Sequence, residues 1–289
     1  MSLAIYGRTY LDAEVTVDLA ALATGKGKVD TEVVVRLGGF ACNATRAVVG
    51  RLPAHEVRVV TAIAQLDLPR LRAELPAEIV LDPIITGSLA WPPVSVIVNP
   101  AAECRLLRVG DDRDAEVWAP RPASSAAEVQ LVGRLPRAFY EPLLGAGIFA
   151  WCGGDAGAAV FAPGTRIACL NTAEARRVLG RDDGGPRELA TAIARRSGVG
   201  AVRVVTGRGQ APSVAAVNTG GAIACYEATP SQLAPDHVRR LKGVGDVFAA
   251  RFVVEACFDE HGALRPELAI EHALGTAQAA AGAFITRSD

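Results

Sequence analysis

Short runs of Val, Ile and Leu, apolar along nearly their whole length and separated by stretches of helical periodicity, constrain this chain more than any other feature. The runs are Leu3–Tyr6, Val57–Ala64, Glu78–Asp82, Gly147–Cys152, Arg166–Leu170 and Ala201–Thr206. A strand that is apolar on both faces must be covered on both, as in a parallel sheet held between helices. The segments Ala44–Leu52, Ala173–Gly180, Arg187–Gly198, Val244–Phe258 and Pro266–Phe284 supply that cover, the last of them Ala-rich and suited to close packing. The expectation is an α/β layered domain.

Two segments break this pattern. Ala13–Leu19 with Val29–Leu37, and Ser95–Asn99 with Glu103–Gly110, alternate polar and apolar residues. Each pair therefore reads as strands with one buried and one wet face. Strands inserted without helices between them would form a separate small sheet, a flap over one end of the main body. No repeat or interdomain linker interrupts the sequence, so 1–289 is expected to be a single domain with flap strands within about 12–37 and 86–112.

Composition excludes several function classes. Half the residues are hydrophobic and 21% are charged, which rules out wholesale disorder. Lys and Arg number 30 against 31 Asp and Glu, so there is no basic footprint for nucleic acid or an anionic membrane. No run of 18 apolar residues occurs, and the first residues lack the features of a secretory signal; a cytoplasmic protein is expected. The six cysteines are scattered with no CxxC spacing, which suits reduced thiols and not a structural zinc site.

The strongest chemical signal is LKGVGDVFAARF, Leu241–Phe252. Gly243 and Gly245 precede an apolar helix, where backbone N–H groups and the helix dipole would cradle a phosphate, and Asp246 sits in the first turn beside it. The same pattern also serves a plain helix start, since an Asp there is stabilised by the dipole alone. In LGGFACNATRAVVGRL, Leu37–Leu52, Gly38 and Gly39 allow close backbone approach to a ligand, and Asn43 offers both a donor and an acceptor suited to sugar hydroxyls; a tight strand-to-helix turn explains them equally. In LNTAEARRVLG, Asn171 and Glu174 form a capping-box pattern with Gly180 as the helix stop; the other reading sets them near hydrated magnesium. In VVTGRGQ, Val204–Gln210, Thr206 and Gly207 end a strand in a glycine turn, which reads as a plain loop or as the border of a nucleotide. A Walker P-loop is absent, and GAGIFA at Gly145–Ala150 lies within a strand, so dinucleotide binding is a weak reading.

In this order the segments resemble the ribokinase-like (PfkB) carbohydrate kinase family over nearly the whole chain. GGFACNAT is similar to its paired-glycine signature, GVGDVFAARF to its C-terminal GAGD signature, LNTAE to its NxxE element, GRTYLD to the loop after its first strand, and VVTGRG to its nucleotide-side turn. The resemblance implies a Rossmann-like three-layer αβα fold with a mainly parallel central sheet and a small β-sheet lid. It implies ATP-dependent phosphorylation of a hydroxymethyl group on a sugar or nucleoside. Asp246 would be the general base, and Gly243, Val244 and Gly245 the anion hole. Asp12, Gly38, Gly39 and Asn43 would hold the acceptor. Asn171 and Glu174 would organise Mg2+ through water, and Thr206 and Gly207 would approach ATP. Lid-to-lid pairing across exposed strand edges would make a homodimer.

The chain departs from the family pattern at Arg240, Leu241 and Lys242, which replace a triplet of the Asp-Thr-Thr kind, and at Arg251, where a Gly is usual. Lys242 would either add positive charge beside the transferred phosphate or face water. Arg36, Arg105 and Arg108 would bind a second phosphate from the flap or serve as sheet-edge charges. These departures motivate the alternative of a non-catalytic sugar- or nucleotide-binding homologue of the same fold.

Overall fold

The computed structural model describes residues 2–15, 33–86, 94–98, 105–109, 127–153, 157–207, 211–230, 232–234, 237–238 and 241–287. The outer parts of the expected flap strands, at 16–19, 29–32, 99, 103–104 and 110, lie outside these residues, as do the side chains of Arg105 and Arg108.

The apolar runs become strands of one nine-stranded sheet. β1 is Leu3–Arg8, β4 Val57–Ala64, β5 Val80–Thr86, β8 Val129–Val132, β9 Ile148–Cys152, β10 Thr165–Asn171, β11 Val202–Thr206, β12 Ser213–Asn218 and β13 Ile223–Ala228. Their spatial order is β13-β12-β11-β10-β9-β8-β1-β4-β5. The seven strands from β11 to β5 are parallel, while β12 and β13 join antiparallel at one edge. Successive side chains of β1 go to opposite layers: Leu3 and Ile5 enter one buried cluster, Ala4 and Tyr6 the other. The first cluster is covered by α1 (Phe40–Val48), α2 (Leu68–Glu74), α7 (Val244–Cys257) and α8 (Ile270–Thr286). The second is covered by α3 (Arg137–Tyr140), α4 (Gly157–Val160), α5 (Thr172–Leu179) and α6 (Pro186–Arg195). This is the expected three-layer αβα fold.

A second sheet of four strands is formed by β2 (Tyr10–Val15), β3 (Val33–Gly38), β6 (Val94–Val98) and β7 (Arg105–Val109) in the order β3-β2-β6-β7. The two expected strand pairs are joined by parallel pairing of β2 with β6. β2 begins at Tyr10, so Asp12 lies inside a strand, opposite Arg36 of β3, and not in the loop where the sequence placed it. The parallel strands run outward from the centre: β4 and β5 on one side of β1, β8 to β11 on the other. The switch point between β1 and β8 is where an open α/β sheet leaves a crevice for ligands. Phe40, the first residue of α1, packs there over Gly7 and Gly133, and a Cβ at either glycine would come within 2.6 Å of its ring.

Charged residues four apart at Arg251, Glu255 and Asp259 do not make a solvated stripe along α7, because the helix ends at Cys257 and the Glu255 side chain is only 2% exposed. Glu255 accepts bonds from Arg51 Nε at 2.7 Å and Nη2 at 3.0 Å, and pairs with Arg251 at 2.8 Å. Burial alone would raise its pKa; the two guanidiniums outweigh that and hold it below the usual value. A carboxylate so held is stabilising only while its partners remain. Glu255→Gln is expected to lower stability by about 1–3 kcal/mol, read as a fall in the urea midpoint at unchanged m-value.

Candidate active site

α1 and α7 each begin on a glycine at positive φ and receive no side-chain cap, and their first turns meet. Gly39 is the N-cap of α1 at φ 84°, and Gly243 is the N-cap of α7 at φ 87°. With no Ser, Asp or Asn at the cap, the leading N–H groups of α7, at Val244 and Gly245, keep their donor capacity for an anion. Asn43 in α1 and Asp246 in α7 join the two ends: Asn43 Nδ2 donates to Asp246 Oδ2 at 2.9 Å. The close fit depends on Gly243, whose hypothetical Cβ would lie 2.7 Å from Asn43 Nδ2.

Burial raises the Asp246 pKa to about 6, opposed by the Asn43 hydrogen bond and the nearby Lys242 charge and reinforced by Glu174 and Asp12. A carboxylate in that range is ionised at neutral pH yet basic enough to accept a proton from an attacking hydroxyl. Asn43 is 1% exposed, and its Oδ1 is buried without a hydrogen-bond partner among the described residues. An acceptor left this way is a place for an incoming donor.

Asp12 is fully buried, and Gly38 lies so close to its carboxylate that any Cβ there would overlap Oδ2. Lys242 Nζ reaches Asp12 Oδ1 at 2.5 Å. Of the two expectations for Lys242, facing water does not hold, since its ammonium is mostly buried on the carboxylate expected to hold the acceptor, while its charge also acts on Asp246. The sequence offered no signal for this pair, since 230 positions separate the two residues.

The residues expected on the nucleotide side gather at the ends of adjacent strands. Asn171 and Thr206 are register partners at the ends of β10 and β11, and Thr172 Oγ1 donates to the Thr206 carbonyl at 2.9 Å. The capping box is present in full: Asn171 Oδ1 accepts from Glu174 N at 3.0 Å, and Glu174 Oε2 accepts from Asn171 N at 2.9 Å. Gly180 closes that helix at φ 66°. Gly207 packs against the Ala211 backbone. Because the Glu174 charge raises the Asp246 pKa, the two groups of residues belong to one electrostatic site.

Whether these residues suit Mg2+ follows from their chemistry. Glu174 Oε2 serves the capping box, and among the described residues no group of three or more His, Cys, Asp or Glu converges to make a closed cage. A single carboxylate near an uncapped helix start suits an ion held mainly through water.

No family model matches the sequence, and no curated protein is similar to it in sequence. Solved structures do match. The ribokinase from Giardia lamblia superposes with a TM-score of 0.73 at 14% identity, covering 100% of this chain and 95% of that one. The adenosine kinase from Schistosoma mansoni, in complex with 2-fluoroadenosine, gives 0.69 at 15% identity, covering 99% and 95%. The ribokinase from Cryptococcus neoformans, in complex with ADP, gives 0.68 at 14% identity, covering 100% and 94%. The chain has the ribokinase-like fold. The expected central sheet and small second sheet of that fold are both present, and the ribokinase-like elements bring Asn43, Gly243 and Asp246 together from opposite ends of the sequence. No helix among the described residues is long and apolar enough to cross a membrane.

Proposed function

We propose that this chain is an ATP-dependent phosphotransferase acting on a hydroxymethyl group of a sugar or nucleoside, with 1–289 working as one kinase unit and the second sheet as its lid. The observation that carries this reading is Asp246, with a pKa near 6, placed at the uncapped start of α7. The acceptor hydroxyl gives its proton to Asp246 while its oxygen attacks the γ-phosphorus. The bond from that phosphorus to the bridging oxygen breaks, and ADP leaves. The N–H groups of Gly243, Val244 and Gly245 stabilise the charge on the migrating group, which is the main protein contribution to phosphoryl transfer. Asp12, Gly38, Gly39 and Asn43 hold the acceptor, with the buried Asn43 Oδ1 taking a hydroxyl proton donor. Thr206 and Gly207 lie along the nucleotide. Asn171 and Glu174 would hold Mg2+ through water; when bound, that ion supplies neutralising charge at the phosphates. The solved ADP and 2-fluoroadenosine complexes of proteins with this fold support such a pair of ligands. The scattered cysteines of the sequence, with no CxxC spacing, suit a cytoplasmic setting. Edge pairing of the lid would build a homodimer, read by sedimentation.

A panel of sugars and nucleosides, each offered with Mg-ATP and followed by ADP release, tests the activity. Phosphorylation of at least one acceptor is expected; ATP and sugar binding with no ADP release from any acceptor would reject it. That outcome would favour the second reading, a non-catalytic binding homologue, for which Lys242 is the specific observation. Its ammonium already holds one oxygen of Asp12, so an acceptor must displace it or share the carboxylate. Gly38→Ala is expected to push the Asp12 carboxylate aside and raise the acceptor KM about tenfold with a smaller change in kcat, the loss of roughly one charge-assisted hydrogen bond. An unchanged KM would remove Asp12 from the acceptor site.

A further inference from the structure

We propose that the cavity between β3, α1, α2, α7 and the end of α8 is a binding site for a small anion carrying two or more phosphoryl groups. It has a volume of about 430 Å³, within the range of small-molecule sites, and is lined by Arg36, Arg46, Arg70, Arg251 and Arg287 against one carboxylate, Glu74. Five guanidiniums around one small space repel one another, and their planar forks match phosphate oxygens two at a time.

The forks are held in place from behind. Arg46 and Arg70 share Glu74, and each also donates to a backbone carbonyl of β3, Arg46 to Leu37 at 2.9 Å and Arg70 to Val35 at 2.6 Å. Arg36 lies 3.7 Å from Glu14. Arg251 pairs with Glu255, whose carboxylate also serves Arg51, and the Arg251 Nε is buried without a partner. Burial and the neighbouring Arg51 lower the Arg251 pKa, so an anion beside it would relieve a charge its surroundings disfavour. Arg251 is the residue that replaces a glycine of the family pattern, and the proposed kinase chemistry gives it no task.

This site is separate from the anion hole. Asp246 and Arg251 are five residues apart on α7, which turns them about 140° from each other round the helix. The proposal therefore stands or falls independently of the kinase reading. Isothermal titration with inorganic pyrophosphate at fixed ionic strength tests it, on the whole chain and on Arg70→Gln, Arg251→Lys and Gly243→Val. The expected result is one pyrophosphate binding event retained in Gly243→Val and weakened about tenfold in each arginine variant, the loss of one charge-assisted contact. Arg70 is largely exposed, so its variant reads out even where Arg251→Lys lowers stability. No pyrophosphate binding, or binding abolished in Gly243→Val and unaltered in the arginine variants, would overturn it.

Discussion

Asp246→Asn is expected to reduce phosphorylation about 10²–10⁴-fold, the usual contribution of a positioned general base, while leaving the protein folded and somewhat more stable. The amide keeps the shape of the carboxylate but cannot accept the hydroxyl proton. Wild-type activity should rise with pH through about 6, where Asp246 loses its proton, and then level off. The stability prediction has the opposite sign. Between its ordinary value of 3.8 and about 6, the folded chain retains a proton that the unfolded chain has released. The folded state binds more protons in that window, so stability falls as pH rises through it. The asparagine variant has no such group and should escape the fall, gaining about 1–2 kcal/mol above pH 6 once partial exposure is allowed for. Thermal melts from pH 4 to 8, beside turnover at saturating ATP, check both halves. A variant with wild-type turnover would remove Asp246 from the chemistry.

Gly243→Val should damage the site by a different route. At φ 87° a β-branched residue is strained, and its Cβ would stand 2.7 Å from Asn43 Nδ2. Relief requires moving either the α7 amides or Asn43, and both are needed at once. Loss of aligned amides costs about 10²–10³ in kcat by analogy with removal of an oxyanion donor. Backbone strain should lower stability by about 1–2 kcal/mol. Single-turnover measurement with acceptor and Mg-ATP, well below the lowered melting temperature, separates the effects: a slowed chemical step in protein that is still folded points to the amides, whereas a normal step would refute their role.

The layered fold was legible because its signals are local. Strands apolar on both faces, such as Val57–Ala64, leave few alternatives to a covered parallel sheet. The capping box at Asn171 and Glu174 and the glycine stop at Gly180 were also readable, since capping chemistry acts over three or four residues. Three strands and three helices were not foreseen. β8 has only four residues, β12 and β13 are rich in Ala, α2 is seven residues long, and α3 and α4 have four residues each; none carries a strong periodic signal.

What the sequence determined by itself was the layered architecture and a set of residues suited to phosphate and hydroxyl chemistry, because hydrophobic period and turn chemistry are properties of neighbouring residues. The tertiary structure alone decided which of those residues meet. The hydrogen bond from Asn43 to Asp246, the burial that raises the Asp246 pKa, the ammonium of Lys242 on Asp12 and the five arginines around one cavity join segments far apart in the sequence. Such contacts follow from how strands and helices stack, and a charge acquires its pKa and its partner only after the chain has closed around it.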